Sequence, residues 1–484
     1  MAFISCWLST HKGNVCRRFF CRYAPAVMKE DSGCDLGSDL ANIFESLEHN
    51  LGQLYAPGFH ADSATYASLL QHCALASALC HGMSLHYILT LKGLDLDLFI
   101  MNHLIHMYGK CDALEEACVV FAGMKHRNIF SWNIMIALHK QLHTDGMQGR
   151  LGFFSRMMAE GILPDKATFV TLISSITSPK SSFFGKCLHA SVVGIGLEMD
   201  VMVGTALISM LSHCNSLMEA WFIFDCMPVQ NVVSWSAMIA ACVRHNEGEE
   251  ALELFSKMEM QGLVPRKMTL VSCLSGCAIL AAHSIGLHIH SLIISIGFDS
   301  SVIIGTALVD MYGKNGNLLE AVSTFDRMAQ KTVLSWTVMM ATYAMHGKAK
   351  QVLSLFQKME AQGVMADNVA FLCAVSACSH LGLFEESIIL IFSISHVYHL
   401  TPMLEHFNCL IDLLGRVGRL QEGEILLHSI PYQASDSSWL SLLAACRVHL
   451  DPVRAERAAS HTFCLDPSSA VPYFLLTNRL DQQI

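Results

Sequence analysis

Apolar residues recur at helical spacing between residues 231 and 265, and this pattern predicts two short antiparallel helices. The first helix is predicted from about Ser234 to Val243. Its apolar face, at the i, i+3, i+4 and i+7 positions, consists of Trp235, Met238, Ile239 and Cys242. Asn246 and Gly248 are expected to form the turn that follows.

The second helix is predicted to begin near Glu249, whose charge lies at the positive end of the helix dipole. Its buried stripe is predicted to contain Ala251, Leu252, Phe255 and Met258. Gly262 and Pro265 follow the last apolar position and are typical of a helix end. Because two helices of this length cannot bury their apolar faces alone, the pair requires neighbouring copies of itself.

Copies of this helix pair recur along the chain. Trp132, Trp235 and Trp336 mark three related segments about a hundred residues apart, and each interval has room for three units. The units of the array 63–434 are predicted at 63–97, 98–128, 129–165, 166–200, 201–231, 232–266, 267–301, 302–332, 333–367, 368–403 and 404–434. The unit 129–165 is two residues longer than its siblings, and the extra residues are predicted to lie between its two helices.

The units have recurrent motifs at their boundaries. Units of 35, 31 and 35 residues rotate, with SWN or SWT openings, GTALI or GTALV openings and Gly-x-x-Pro-Asp endings. These motifs resemble those of the pentatricopeptide repeat family. This rotation of long, short and standard motifs resembles the plant organellar PLS subclass, from residue 63 to the C-terminus. The resemblance implies an all-α fold, a right-handed α-solenoid superhelix of stacked antiparallel helix pairs.

The two ends of the chain have their own interpretations. Residues 1–29 are basic and contain no acid before Glu30, which predicts a transit peptide; a basic tail without a targeting role is the alternative. We expect a mitochondrial location, with the chloroplast as the alternative. Residues 30–62 are interpreted as a degenerate leading repeat. Residues 435–484 resemble the extension domain that follows the repeats in this subclass, truncated shortly after a second extension motif would begin.

Composition and charge narrow the classes of function. The 19 cysteines show no paired spacing, and residues such as Cys242 are expected to be small core residues in a reducing compartment. No apolar run is long enough to span a bilayer, so no membrane partner is expected. The net charge of −10 weighs against nucleic acid binding. Three basic residues at unit junctions are the candidates for a local positive track: Lys166, Arg266 and Lys267.

No catalytic site, metal site or cofactor is predicted. His245-Asn246-Glu247 matches half of a zinc deaminase motif, but it falls in a turn between helices and the chain contains no CxxC. Cys273 and Cys277 have metal-ligand spacing, yet other copies carry Ala or Ser there, so core positions are expected. The enzyme class is therefore disfavoured.

The family resemblance implies that the fifth and last residues of each short or standard unit together read one RNA base. The pairs are Asn102 with Asn128, Asn133 with Asp165, Thr205 with Asn231, Ser236 with Arg266, Thr306 with Thr332, and Thr337 with Asp367. The apolar residues implied to stack on the bases are Phe99, Phe130, Met202, Val233, Ile303 and Leu334.

The family code implies a pyrimidine for Asn with Asn, uracil for Asn with Asp, adenine for Thr with Asn and guanine for Thr with Asp. Arg266 and Thr332 depart from that code, so their units are expected to be unselective. The long units carry an apolar fifth residue and are interpreted as spacers; these residues are Ala67, Val170 and Val271. The alternative for each polar position is helix capping.

Three functions remain open at the level of the sequence. The first is a sequence-specific binder of single-stranded organellar RNA that acts in C-to-U editing and recruits a separate deaminase-bearing protein in trans. The second keeps RNA binding but assigns RNA stabilisation, splicing or translation. The third is a protein-binding helical scaffold. A decaying gene copy is also compatible with the odd repeat length and the missing proline before Asp367.

Overall fold

A computed structural model describes residues 62–94, 97–139, 146–465 and 471, which form 24 α-helices and no strand. The chain divides into two compact units, residues 1–228 and 229–484. The helices of the first unit are α1 (Ser63–Leu75), α2 (Leu79–Leu91), α3 (Leu98–Lys110), α4 (Leu114–Gly123), α5 (Ile129–Leu138), α6 (Gly146–Ala159), α7 (Lys166–Ile173), α8 (Ser182–Ile195), α9 (Val201–His213) and α10 (Leu217–Cys226). A short 3-10 helix, Pro179–Ser181, precedes α8.

The second unit contains the other fourteen helices. They are α11 (Val232–Arg244), α12 (Gly248–Met260), α13 (Lys267–Leu280), α14 (His283–Ile296), α15 (Val302–Lys314), α16 (Leu318–Arg327), α17 (Val333–Met345), α18 (Ala349–Ala361), α19 (Asn368–Leu381), α20 (Phe384–His396), α21 (Leu404–Val417), α22 (Leu420–Ser429), α23 (Asp436–Val448) and α24 (Pro452–Leu465).

The helices pack as pairs, with an odd-numbered first helix and an even-numbered second helix in each pair. Within each compact unit, every first helix also contacts the next first helix. The helices α1, α3, α5, α7 and α9 therefore form one series, and the odd-numbered helices from α11 to α23 form another. The prediction of an all-α fold of stacked helix pairs is confirmed. This arrangement places the beginnings of successive first helices next to one another.

The core of each pair follows the apolar periodicity. In α11, Trp235 is 3% exposed and Met238, Ile239 and Cys242 are fully buried. The predicted stripe of α12 is buried as well; it consists of Ala251, Leu252, Phe255 and Met258. Pairs of helices bury these faces against each other and against the neighbouring pair, which is why the pattern repeats with the pair.

The prediction for Gly248 is wrong in its detail. Asn246 does adopt the left-handed turn conformation, with φ of 60°. Gly248, however, is the first residue of α12 rather than a turn residue. A Cβ atom at this position would lie 3.1 Å from the backbone oxygen of Gly276 and 2.9 Å from Leu280 Cγ. Glycine is therefore required here for the close approach of α12 to α13.

Several predictions concern residues outside the described part of the chain. The transit peptide, nearly all of the degenerate leading repeat and most of the residues after Leu465 lie there. The two-residue excess of the unit 129–165 is predicted to lie between its two helices. The first of these, α5, ends at Leu138 and α6 begins at Gly146, and residues 140–145 between them lie outside the described part of the chain.

The pair α23 and α24 lies in residues 435–484, the segment predicted to be a truncated extension domain, and that assignment stays a prediction. Trp439, Leu442 and Leu443 of α23 pack in one cluster with Ala455 and Ala458 of α24. Among the described helices, none combines the length and the apolar character needed to cross a bilayer.

Candidate nucleic-acid interface

Six of the first helices present an apolar and a polar side chain on one face at their start. The candidate stacking residues are the second residues of α3, α5, α9, α11, α15 and α17, and the candidate fifth-position residues lie three further along the same helices. Residues i and i+3 are neighbours on a helix surface. An apolar side chain and a polar side chain are therefore adjacent at the beginning of each of these helices.

All six candidate stacking side chains are exposed. The exposed fractions are 52% for Phe99, 66% for Phe130, 65% for Met202, 38% for Val233, 58% for Ile303 and 63% for Leu334. Apolar side chains that are exposed at the same position of successive helices indicate a surface available for a ligand.

Two further residues have the same placement and were missed by sequence reasoning. Met268 and Val369 are the second residues of α13 and α19, and they are 61% and 49% exposed. Met268 belongs to the long unit 267–301, which was interpreted as a spacer, and Val369 belongs to the unit 368–403, for which no base-reading pair was predicted. The signal was available in the sequence, because counting from the predicted helix start gives the same position.

The last residues of the units begin the next first helix. Asn128, Asp165, Asn231 and Asp367 are N-cap residues, and each side chain accepts a hydrogen bond from a backbone amide of the first turn. Arg266 is also an N-cap residue but makes no such bond. The capping interpretation therefore describes these four side chains, and it leaves their joint role with the fifth position open.

In the first compact unit, two of the pairs are in direct contact. The amide nitrogen of Asn102 donates to Asn128 Oδ1 over 3.5 Å. Asn133 Nδ2 donates to Asp165 Oδ1 over 3.1 Å. The fifth and last residues of these units therefore meet although 26 and 32 residues separate them.

The carboxylate of Asp165 is held in its ionised form. Partial burial alone would raise its pKa, but hydrogen bonds from the Thr168 amide, from Asn133 and from the Thr168 hydroxyl hold the pKa below its ordinary value. This group therefore remains an anionic acceptor at neutral pH, beside the amide of Asn133.

In the units 232–266, 302–332 and 333–367 of the second compact unit, hydroxyl groups take the fifth position. Ser236 Oγ lies 2.5 Å from Thr269 Oγ1, and Arg266, the last residue of the same unit, is exposed. Thr306 Oγ1 lies 2.8 Å from Ser335 Oγ, and the latter lies 3.2 Å from Thr332 Oγ1. A shared hydroxyl thus connects the two members of the pair Thr306 and Thr332.

Two threonines are less accessible than their proposed role requires. Thr306 is 7% exposed and Thr337 is 3% exposed. The hydroxyl of Thr337 donates to carbonyl groups one turn earlier, those of Val333 and Leu334. Asp367, its proposed partner, is exposed and caps α19. Base reading by these residues stays a prediction.

The remaining pair divides between the compact units. Thr205 is half-buried in the first unit and donates to Val201 O over 2.6 Å. Asn231 is exposed in the second unit and forms a capping box with Ser234. Their joint action on one base stays a prediction.

Two of the three candidate cations already have partners. Lys166 Nζ lies 2.5 Å from Asp200 Oδ2, and Lys267 Nζ lies over the ring of Phe298 at 5.2 Å from its centroid. An ion pair with an acid reduces the attraction of Lys166 for a phosphate. The expected positive track is therefore weakened at these two junctions.

The residues that were considered as metal ligands lie in a turn or in the buried core. His245, Asn246 and Glu247 lie in the turn between α11 and α12. Burial raises the pKa of the Cys277 thiol to about 11 and that of Cys273 well above its ordinary value. Within the described residues there is no group of three or more His, Cys, Asp or Glu that could hold a metal ion.

One polar residue of this surface was missed entirely. Asn408 is the fifth residue of the unit 404–434, and its Oδ1 accepts a hydrogen bond of 2.7 Å from Ser438 Oγ. Asn133 accepts the equivalent bond from Thr168 over 2.6 Å. The same count from the helix start would have identified Asn408 in the sequence.

This architecture defines the class of the protein as an α-solenoid of helical repeats. Models of the PPR repeat match residues 99–129, 306–333, 334–364 and 405–431, and a PPR repeat family model matches 230–279. The crystal structure of pentatricopeptide repeat protein PPR10 from maize superimposes with a TM-score of 0.63 at 17% identity, over 92% of this chain and 64% of that one. PPR10 has also been crystallised with an 18-nt psaJ RNA element, with a TM-score of 0.68 over 90% of this chain.

The sequence comparisons carry the assignment further. A mitochondrial pentatricopeptide repeat-containing protein of Arabidopsis thaliana is 33% identical over 87% of this chain and 68% of its own length. The chloroplastic relative CRR2, also from Arabidopsis thaliana, is 34% identical over 86% of this chain and 64% of its own. The chain belongs to the pentatricopeptide repeat family, and the predicted organellar location is confirmed. It spans about half to two thirds of the length of such relatives.

Proposed function

We propose that this chain binds single-stranded RNA in a sequence-dependent manner through the starts of its first helices. The observation that carries the proposal is the recurrent placement of an exposed apolar side chain three residues before a polar one, as in Phe130 and Asn133. A nucleotide base can stack on the apolar side chain, a contact worth about 1–3 kcal/mol per base. The polar pair can then bond the edge of the same base.

Several relationships support the proposal. The contact of Asn133 with Asp165 places an amide donor beside an anionic acceptor, which suits a base edge that carries an acceptor next to a donor. The family code assigns uracil to this pair. Family membership and the RNA complex of the structural neighbour PPR10 point to the same class of ligand.

Within RNA binding, we propose a role as a specificity factor for C-to-U modification in mitochondria, with a deaminase supplied by another protein. The rotation of long, short and standard motifs supports this role. RNA sequencing of a mutant that lacks the protein tests it: loss of edited cytidines is expected. Altered transcript ends or retained introns would favour stabilisation or splicing, and deamination by the purified chain alone would contradict a deaminase in trans.

Selection of the full-length chain against a randomised single-stranded RNA pool tests base reading. We expect enrichment of a defined sequence, and we expect Asp165→Asn to change the preferred nucleotide at one position only. Asp225→Asn is the control, because it removes the same charge from the exposed side of α10. A uniform loss of binding in Asp165→Asn would mean that Asp165 acts only as a helix cap.

The acidic net charge and the ion pair of Lys166 favour a second candidate, a protein-binding scaffold. The same selection separates the two. Absence of enrichment at low ionic strength, where phosphate attraction is strongest, would overturn RNA binding and leave the scaffold.

A further inference from the structure

A buried hydroxyl recurs at the third residue of the first helices that follow short and standard units. These residues are Ser131, Thr168, Thr269, Ser335 and Ser438, together with Ser234 in the first helix of the second compact unit, and each is at most 1% exposed. Ser234 forms a capping box with Asn231. Their burial prevents direct contact with a ligand. They are therefore candidates for residues that act on a ligand through another side chain.

The hydroxyl bonds the fifth-position side chain of the preceding unit. The oxygen-to-oxygen distances are 2.6 Å between Thr168 and Asn133, 2.5 Å between Thr269 and Ser236, 2.8 Å between Ser335 and Thr306, and 2.7 Å between Ser438 and Asn408. In the fifth case, the Ser131 hydroxyl reaches Asn102 through the shared partner Asn128.

The geometry at Thr168 orients the amide of Asn133. The Thr168 hydroxyl accepts from the Asp165 backbone amide over 3.2 Å. Its proton has two acceptors within reach, Asn133 Oδ1 at 2.6 Å and Asp165 Oδ1 at 2.9 Å, and the Asn133 oxygen is the nearer. Asn133 Nδ2 faces the carboxylate of Asp165. Rotating the amide by 180° would bring its oxygen against that carboxylate, which is unfavourable. One N–H of Asn133 consequently remains for a ligand, in a defined direction.

The long units show the complementary pattern. Their fifth residues Ala67, Val170 and Val271 are apolar, and the third residues of the following first helices are Ile100, Val203 and Ile304, all fully buried. A hydroxyl beside an apolar fifth residue would lack its partner, which costs free energy in a buried site. The third-position hydroxyl therefore occurs where the fifth residue of the preceding unit is polar, and it is not a general feature of the first helices.

One standard unit lacks the hydroxyl and provides an internal comparison. Thr337 is followed by Ala370 at the third residue of α19, and Ala370 is fully buried. The Thr337 hydroxyl turns back to the carbonyl groups of its own helix. The Ser236 and Thr306 hydroxyls also bond a carbonyl group of their own helix, but each has in addition a bond to the hydroxyl of the next first helix. Ala370 cannot provide that second bond to Thr337.

We infer that the buried third-position hydroxyl is a positioning residue that sets the nucleotide preference of the preceding unit. This inference rests on the proposed RNA function. It raises the number of residues that determine the base preference of a unit from two to three. The hydroxyl holds the fifth-position side chain in one orientation before the RNA arrives. Selectivity is then obtained without the entropy cost of ordering that side chain on binding.

The experiment compares the full-length wild type with Thr168→Val and Thr168→Ser in selection from a random RNA pool. Valine keeps the shape of threonine and removes the hydroxyl, whereas serine keeps the hydroxyl. We expect Thr168→Val to reduce discrimination about fivefold to tenfold at the one nucleotide that Asp165→Asn identifies, and Thr168→Ser to retain it. Preferences at the other nucleotides should not change.

A second measurement uses the chain without RNA. The midpoints of unfolding in urea are compared for the wild type, Asn133→Ala, Thr168→Val and the double variant; non-additive effects are expected, because each single change already breaks the bond. Additive effects would contradict the claim that Thr168 orients the side chain of Asn133. A wild-type preference that persists in Thr168→Val would overturn this inference alone. A wild type that enriches no sequence would overturn the proposed function and the inference with it.

Discussion

Gly248 shows how a single missing side chain determines the distance between two helix pairs. Its position faces the backbone oxygen of Gly276, and a backbone atom cannot move aside as a side-chain end can. We expect Gly248→Ala to destabilise the chain by about 1–3 kcal/mol, measured as a lower midpoint of urea unfolding.

Gly152 is the matched control for this substitution. It lies inside α6, is exposed, and a Cβ atom there would meet nothing within 4 Å. Gly152→Ala should therefore raise stability by about 0.5–1 kcal/mol, because alanine loses less backbone freedom on folding. Equal effects of the two substitutions would contradict the assigned role of Gly248.

The same residue marks the limit of what the sequence could predict. The apolar faces around Trp235 and Phe255 were predictable, because they recur with the helical period in each copy. Gly248 was assigned to the turn, since its close neighbour Gly276 lies on the next pair and no local signal connects them. The bond of Thr168 with Asn133 was missed for the same reason. The sequence shows that a serine or threonine recurs at the third helix position, but its bonding partner depends on the register between successive first helices.

At the scale of the element, one carboxylate connects α22 to α24. Glu424 Oε1 accepts from Arg457 Nε over 2.7 Å, and Oε2 lies 3.3 Å from Arg454 Nε. The hydrogen bond from Arg457, together with the charge of both arginines, outweighs burial and holds the pKa of Glu424 below its ordinary value of 4.5. Because the folded pKa is lowered, the stabilisation is present above the unfolded pKa and is lost as the pH falls through the folded value.

We therefore expect Glu424→Gln to loosen α24. Backbone hydrogen exchange in peptides from α24 should accelerate about fivefold near pH 7, the equivalent of about 1 kcal/mol. The difference from the wild type should persist down to about pH 5 and begin to shrink below about pH 4.5. It should disappear once the pH falls below the lowered folded pKa, where the wild-type carboxylate also becomes protonated.

The control for this prediction is Glu422→Gln. Glu422 pairs with Arg419, three residues earlier, so its ion pair does not reach α24. Exchange in α24 should be unchanged in this variant at each pH. Acceleration of the same size in both variants would mean that α24 responds to net charge rather than to the contact of Glu424.

At the scale of the whole molecule, the negative net charge of the chain opposes the binding of RNA, which is an anionic ligand. The formal net charge is −10, and Asp200 takes one cation of the first-helix series, Lys166, which directly follows Asp165. We expect Asp200→Asn to release Lys166 for a phosphate group. Asparagine can still cap α9, where Asp200 now accepts from the amides of Met202 and Val203.

The measurement is the affinity for the selected RNA as a function of salt concentration. Asp200→Asn should tighten binding up to about fivefold at low salt, and the slope of log K against log salt should steepen by roughly 0.7, the increment for one added phosphate contact on a single strand. Asp225→Asn makes the same change in net charge on α10. If both variants tightened binding equally, the effect would come from the net charge. If only Asp225→Asn did so, Lys166 would not face the strand, and the basic contribution to affinity would have to come from elsewhere in the chain.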